Sequence, residues 1–196
     1  DNKFNAEALA SAHILVRLFA TGIEKGLTNK IAEYTNSQNA ISSIDLKSLD
    51  SLQIQIEQFL KEKNILYVRK VGDLGESSVK YDIRISMEKF AQVLYSLLGY
   101  PDRASNQKKR LFENYYDEIF STENFDIEKS AEYIHLYKRI TEEYEKSGYT
   151  SYEQKIFYVI YLNTKNDNIT RNIEIVEKAL NEYKSKEQLS DSRKLI

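Results

Sequence analysis

The sequence predicts a mainly helical domain with a small strand or hairpin element, and three observations carry that expectation. Glycine and proline are scarce, six and one in 196 residues, and a chain with so few turn residues is expected to run in helices rather than in a many-stranded sandwich. From Asp50 onward apolar residues recur three and four apart in one segment after another, the spacing that gathers them on one face of a helix. Alternation with a period of two, the mark of a half-buried strand, is confined to residues 66–71 and 78–85.

Taken in order, residues 5–12 read as a brief helix with Ala6, Leu9 and Ala10 on one side. The apolar, partly β-branched run at 13–19 fits either a buried strand or a continuation of that helix. Residues 27–34 supply a short helix through Leu27, Ile31 and Tyr34. Thr35-Asn36-Ser37-Gln38-Asn39 then falls where the last helical carbonyls lack partners, and Asp45 is expected to cap or order the turn that follows. Asp50-Ser51-Leu52-Gln53 is a capping-box candidate, with Gln53 in the third helical position. The helix it opens is packed by Leu52, Ile56, Phe59 and Leu60 and is expected to end by Asn64.

Next come the two alternating segments, Leu66 and Val68 in the first, Tyr81, Ile83 and Ile85 in the second, separated by a turn with Gly72 and Gly75. They predict a small antiparallel hairpin whose connection is long for a tight turn. From Ser86 the helical period returns through Met87, Phe90, Val93, Leu94, Leu97 and Leu98, and Gly99 stops it. Fully burying each of the large members is worth roughly 1.5 to 3 kcal/mol, so this helix is the expected centre of the core. After Pro101 a helix is predicted over about 106–120, capped by Ser105. A longer one follows from Asp126 through Ile134, Ile140 and Tyr144 to Gly148. Another, capped by Thr150 or Ser151, packs Ile156, Phe157, Val159 and Ile160. Asn166-Asp167-Asn168 turns the chain into a last helix from Thr170, carrying Ile173, Val176, Leu180 and Tyr183.

Composition narrows the class of function. There is no cysteine, which excludes a disulfide framework and a cysteine zinc site and fits a cytoplasmic location. No run reaches the length of a membrane span, so no membrane partner is expected. The net charge of -2 exerts no global pull toward nucleic acid. Locally, Arg103, Lys108, Lys109 and Arg110 have only neutral residues between them, while 113–149 holds ten acidic against four basic residues. A short basic turn before an acidic helical face reads first as solvated surface and second as a polyanion site. Fifteen tyrosines, with eight phenylalanines and no tryptophan, place many rings at core margins where the hydroxyl needs a partner.

One resemblance is specific enough to name a family. The loop Thr35-Asn36-Ser37-Gln38-Asn39, then the turn from Ser43 to Asp50 (S-I-D-L-K-S-L-D), then Gln53, then Ile65-Leu66-Tyr67-Val68-Arg69-Lys70, resemble the AIPR family, the abortive infection phage resistance proteins of bacteria. The resemblance is best over about 13–100. It implies a strand at 13–19, a bacterial phage-defence protein, and a chain that forms the C-terminal fragment of a longer one, since larger members look as though they carry an upstream region, sometimes nuclease-like. The chain opens on Asp1 without a methionine, which suits the same expectation. On this basis residues 1–100 are expected to be an AIPR-like core with the loop and short strands, and 101–196 a helical bundle extension.

Candidate chemistry is sparse. His13 and His135, the only imidazoles, share no metal-ligand spacing. Asp45, Lys47 and Asp50 contain the residue types of a Mg²⁺ nuclease, yet both aspartates have simpler uses as turn and cap residues. Gly72 and Gly75 come with Asp73 and Glu76, which would repel a phosphate. No catalytic residue, metal or cofactor is therefore expected; a nuclease role and a structural or oligomerising role stand as alternatives to recognition. The remaining group is Asn36, Ser37, Gln38, Asn39, Asp45, Asp50, Gln53, Tyr67, Arg69 and Lys70. The carboxamides knit loop to hairpin inside the domain, or contact a protein or small molecule, or hydrogen-bond a base edge, in which case Tyr67 would stack and Arg69 and Lys70 would meet phosphate. Expected partners are the upstream region of the same protein or a second copy, with nucleic acid or another phage component as the trigger.

Overall fold

The structure, a computed structural model, describes residues 42–70, 75 and 80–194, with side chains as far as Tyr183. The elements expected at 5–12, 13–19 and 27–34 and the polar loop from Thr35 to Asn39 lie outside the described residues.

Helix α1 (Ser43–Lys47) is opened by a reciprocal cap. The Ser42 hydroxyl oxygen accepts from the Asp45 amide at 3.3 Å, while the Asp45 carboxylate accepts from the Ser42 amide at 3.2 Å and from its hydroxyl at 2.6 Å. Asp45 thus reaches back to the residue before the helix rather than ordering the turn beyond it. Helix α2 (Ser51–Glu62) is capped by the Asp50 carboxylate, which accepts from the Leu52 amide at 3.1 Å. Gln53 does not return that cap. It is buried with Ile56 and Leu60 on the inner face, because its amide finds partners across the core. Asn64, in the left-handed region at φ 59°, turns the chain out of the helix and into strand β1 (Ile65–Val68).

β1 pairs with β2 (Ile83–Ser86), and the pair is parallel, Ile65 opposite Ile83 and Val68 opposite Ser86. The antiparallel hairpin is thereby corrected. A parallel pair needs a connection of about a dozen residues or more, and the stretch from Arg69 to Asp82, too long for a tight hairpin, supplies it. All four β1 residues are buried, as parallel strands commonly are. The alternation that singled out Leu66 and Val68 therefore missed Ile65 and Tyr67, which lie deeper at 1% exposed.

Ser86 ends β2 and caps helix α3 (Met87–Leu97), its hydroxyl accepting from the Lys89 amide at 3.1 Å. Met87 and every residue from Phe90 to Ser96 are buried, so the helix is enclosed all round, as a central helix must be. Its polar members are partly bonded: Ser96 donates to the Gln92 carbonyl at 2.7 Å, and the Gln92 amide nitrogen donates to the Ala104 carbonyl at 2.7 Å, while the Gln92 side-chain oxygen has no partner among the described residues. Gly99, at φ 102°, closes the helix in a conformation that suits glycine.

The single helix expected over 106–120 is three short ones, α4 (Pro101–Asn106), α5 (Arg110–Glu113) and α6 (Tyr116–Ile119). Pro101 starts α4 instead of breaking the chain, at the first position where its missing amide is harmless. Ser105 lies inside α4, its hydroxyl donating to the Asp102 carbonyl at 2.9 Å, and the Asn106 amide donates to the Asp102 carboxylate at 2.7 Å. Such local side-chain bonds compete with helix continuation. A ring stack holds the pieces to α3: Tyr95 lies between Tyr100 at 4.8 Å and Tyr115 at 5.0 Å, with the Arg103 guanidinium 5.0 Å from the centre of the Tyr100 ring.

A 3₁₀ turn (Ile127–Lys129), capped by Asp126, leads into α7 (Ser130–Ser147), which Gly148 ends in the left-handed conformation. Helix α8 (Glu153–Asn163) has Tyr152 at its cap position and no side-chain cap. The hydroxyls expected there are not used; the Thr150 carbonyl instead accepts from the Lys155 ammonium at 3.1 Å. α8 lies against α3, α4, α7 and α9 (Ile169–Lys194). Asn168 caps α9 at the Arg171 amide, and Asn166 and Asn172 exchange bonds of 2.9 and 3.1 Å that fix the turn to the helix. One apolar core runs through these elements, from Ile56 and Leu60 to Ile173 and Val176.

α8 and α9 also share a buried ion pair, Lys155 with Glu177 at 2.6 Å, the two side chains 12% and 8% exposed. Glu177→Gln keeps the shape and removes the charge facing the ammonium. It is expected to lower stability by about 1 to 2 kcal/mol, in the range of a hydrogen bond to a charged group. Urea unfolding checks this; an unchanged midpoint would mean that the pair contributes nothing net.

Candidate functional site

The residues singled out between Asp50 and Arg69 converge where α2, β1 and α6 meet. Position 53 falls on the inward face of α2, and Tyr67 points into the core from β1, so a carboxamide and a phenol meet where the elements are closest. The Tyr67 hydroxyl donates to the Gln53 carbonyl oxygen at 2.6 Å, and the Gln53 amide donates to the Tyr116 hydroxyl at 3.0 Å. Tyr116 in turn donates to the Asp50 carboxylate at 3.1 Å, whose other oxygen holds the α2 cap. The chain of bonds is thus Tyr67, Gln53, Tyr116, Asp50, ending on a helix N-terminus.

Tyr67, Gln53 and Tyr116 are buried, and Asp50 is half-buried. Tyr67 is 1% and Gln53 0% exposed, and the Tyr67 ring meets the edge of Phe90 at 5.8 Å. Burial, then the nearby Tyr116, raises the Tyr67 phenol well above its ordinary pKa; burial does the same to Tyr116. Both hydroxyls stay protonated and act as donors across the neutral range. The ammonium of Lys47 sits 4.0 Å from the centre of the Tyr116 ring and 3.7 Å from the Asp117 carboxylate.

Arg69, just past β1, closes the other side. Its guanidinium donates to the Glu57 carboxylate on α2 at 2.8 Å and, through its other terminal nitrogen, to the Ser48 carbonyl at the end of α1. The side chain joins three elements and is turned inward, whereas Lys70 beside it is exposed. Asp45 remains on the surface in the α1 cap. Asp50, Gln53, Tyr67 and Arg69 therefore come together in one place, Asp45 and Lys70 do not join them, and Asn36, Ser37, Gln38 and Asn39 lie outside the described residues.

Sequence reasoning missed Tyr116, which bonds to Gln53 across a separation of 63 residues, and Glu57, which accepts from Arg69. The only signal for Tyr116 was its place in an apolar stripe, and that gives no partner. Chemically, Tyr67, Gln53, Tyr116 and Asp50 are mutually bonded donors and acceptors that tie α2, β1 and α6 together, while the Arg69 Nε is buried without a partner among the described residues. Among the described residues, no group of three histidine, aspartate or glutamate side chains is placed to hold a metal ion, and no helix is long and apolar enough to cross a membrane.

Comparison with known proteins places this geometry in context. A family model described as AIPR protein matches residues 1–194. No curated protein and no solved structure matches the chain significantly.

Proposed function

We propose that this chain, which belongs to the AIPR family over residues 1–194, is a non-catalytic recognition or coupling module of a bacterial phage-defence (abortive infection) protein. It would act in the cytoplasm as the C-terminal part of a longer protein, passing a phage-derived signal to an upstream effector region. Residues 1–100 would form the family core and 101–196 the helical extension.

What carries this reading is how the candidate catalytic groups are engaged. A Mg²⁺ site needs carboxylate oxygens that converge on an open coordination sphere. Asp45 instead accepts from Ser42, Asp50 accepts from the Leu52 amide and Tyr116, and Lys47 lies against the Tyr116 ring and Asp117. We assign Asp50, Gln53, Tyr67 and Arg69 to holding the fold, which leaves recognition to other surfaces. For contact with a second copy or with the upstream region, exposed apolar groups are available at Tyr149, Tyr152, Ile175 and Tyr183.

The purified chain, incubated with Mg²⁺ or Mn²⁺ and with single- and double-stranded DNA or RNA, is expected to leave every substrate intact. Cleavage that disappears in Asp45→Asn or Asp50→Asn, with folding preserved, would establish the nuclease alternative instead.

A further inference from the structure

We propose that the concavity lined by residues 105–110 binds the phosphodiester backbone of a single-stranded nucleic acid, with Lys109 and Arg110 as the phosphate contacts, an inference that rests on the recognition role proposed above and names its partner. The hollow measures about 540 Å³, and its lining among the described residues is Ser105, Asn106, Gln107, Lys108, Lys109 and Arg110. Among the described residues it is therefore lined by a hydroxyl, two carboxamides and three cations, with no carboxylate. A second surface hollow, between α7 and the start of α9, has Glu142, Glu143 and Asp167 in its wall, and an anion would meet repulsion there.

The cations differ in what already faces them. Lys108 is neutralised from below by Glu153 at 3.0 Å and Glu88 at 3.7 Å, and that pairing ties the loop to α8 and α3. Lys109 and Arg110 are exposed, and their side chains have no hydrogen bond or ion pair with any described residue. Two uncompensated charges over a fixed base are what a phosphate would neutralise. The base is fixed because Tyr115 donates to the Gln107 side chain at 2.9 Å and Asn106 and Ser105 are bonded back to Asp102.

The choice of a single strand follows from the number of free cations and from what stands beside them. Two contacts are too few to hold a duplex, whose nonspecific binding grows with the number of phosphates neutralised. A strand with unpaired bases can add stacking on an aromatic ring. Tyr152, 61% exposed, immediately precedes Glu153, the residue that grips Lys108, so a ring with free surface lies at the end of α8 that meets the basic loop.

A fluorescently labelled oligothymidylate is titrated with the full chain at about 50 and about 200 mM salt. With two phosphates contacted, a slope near -1.4 in log affinity against log salt is expected, about a sevenfold loss over that range. Lys109→Ala/Arg110→Ala, which removes no internal contact, is expected to weaken binding at the lower salt at least about tenfold and to flatten the salt dependence. Tyr152→Ala is expected to weaken binding about fivefold or more while leaving the salt slope unchanged. Absence of binding at the lower salt, or a double variant that binds with the same affinity and slope, would overturn the site. So would displacement of the strand by low-millimolar inorganic phosphate or mononucleotide, which would assign the hollow to a small anion. Cleavage of the oligonucleotide would instead overturn the non-catalytic role, so the two failures are distinguishable.

Discussion

Between pH 7 and about 11 the tyrosines Tyr67, Tyr116 and Tyr144 together are expected to take away about 4 kcal/mol of folding stability, opposed by Lys89, whose pKa burial lowers to about 8 and which adds stability as the pH rises past that value. The three tyrosines are buried, at 1, 5 and 0% exposed, and burial raises each phenol above its ordinary value. An unfolded tyrosine releases its proton near pH 10, whereas the folded one keeps it, so above that pH the folded state binds more protons and stability falls as pH rises. The contribution is whole below pH 10 and declines by about 1.4 kcal/mol per tyrosine for each unit above it. Against a typical stability of about 5 to 15 kcal/mol, three such groups move the denaturant midpoint far. Tyr144→Phe separates this from other alkaline effects. The Tyr144 hydroxyl is buried without a hydrogen-bond partner among the described residues, so its removal should be neutral or stabilising at pH 7 and should reduce the tyrosines' alkaline loss by about a third. A Tyr144→Phe variant with the parent's pH dependence above pH 10 would contradict the account.

Gln53→Ala is the second large effect, expected at about 2 to 4 kcal/mol of lost stability. The substitution leaves the Tyr67 hydroxyl, which donates to Gln53 at 2.6 Å, buried without an acceptor, and opens a void in a wall that includes Ile56 and Leu60. An unsatisfied buried donor costs about 1 to 3 kcal/mol, and the lost side-chain volume adds to it. Tyr116 suffers less, since it keeps Asp50 as an acceptor. Urea unfolding measures the change, and a loss below about 0.5 kcal/mol, the range of ordinary surface positions, would show that the amide is not part of a buried network.

How far the sequence foretold the structure depends on whether the information was local. Helices α2, α3 and α7 carry their own periodicity and their own stops, in Asn64, Gly99 and Gly148, and were legible from it. The helical class with a small two-stranded element was legible too. The direction of that strand pair was not, because the residues of β1 are buried on both faces and the connecting length admits either topology. The α4 to α6 region misled for a different reason. Its apolar spacing suits one helix, but Ser105 and Asn106 bond back to Asp102, a competition that spacing does not reveal. At the site, Asp50 and Gln53 were legible as a capping candidate, and Tyr67 and Arg69 through the family resemblance. Their role depends on Tyr116, whose contribution through a bond across 63 residues leaves no trace in local pattern. Lys109 and Arg110 looked like ordinary solvated charge until the fold showed which neighbouring cation, Lys108, is neutralised and which are not.

The claim that these polar residues bind the elements of the fold to one another, rather than present themselves to a ligand, is tested most directly by a double-mutant cycle. Gln53→Ala, Tyr116→Phe and the double variant are unfolded in urea beside the parent chain, and the coupling between the two sites is taken from the four stabilities. The Gln53 amide and the Tyr116 hydroxyl are bonded at 3.0 Å in the interior, so a coupling of about 1 to 2 kcal/mol is expected. Losses that add to within about 0.3 kcal/mol would contradict it, since independent sites behave in that way, and would return Gln53 and Tyr116 to the groups free to meet a partner.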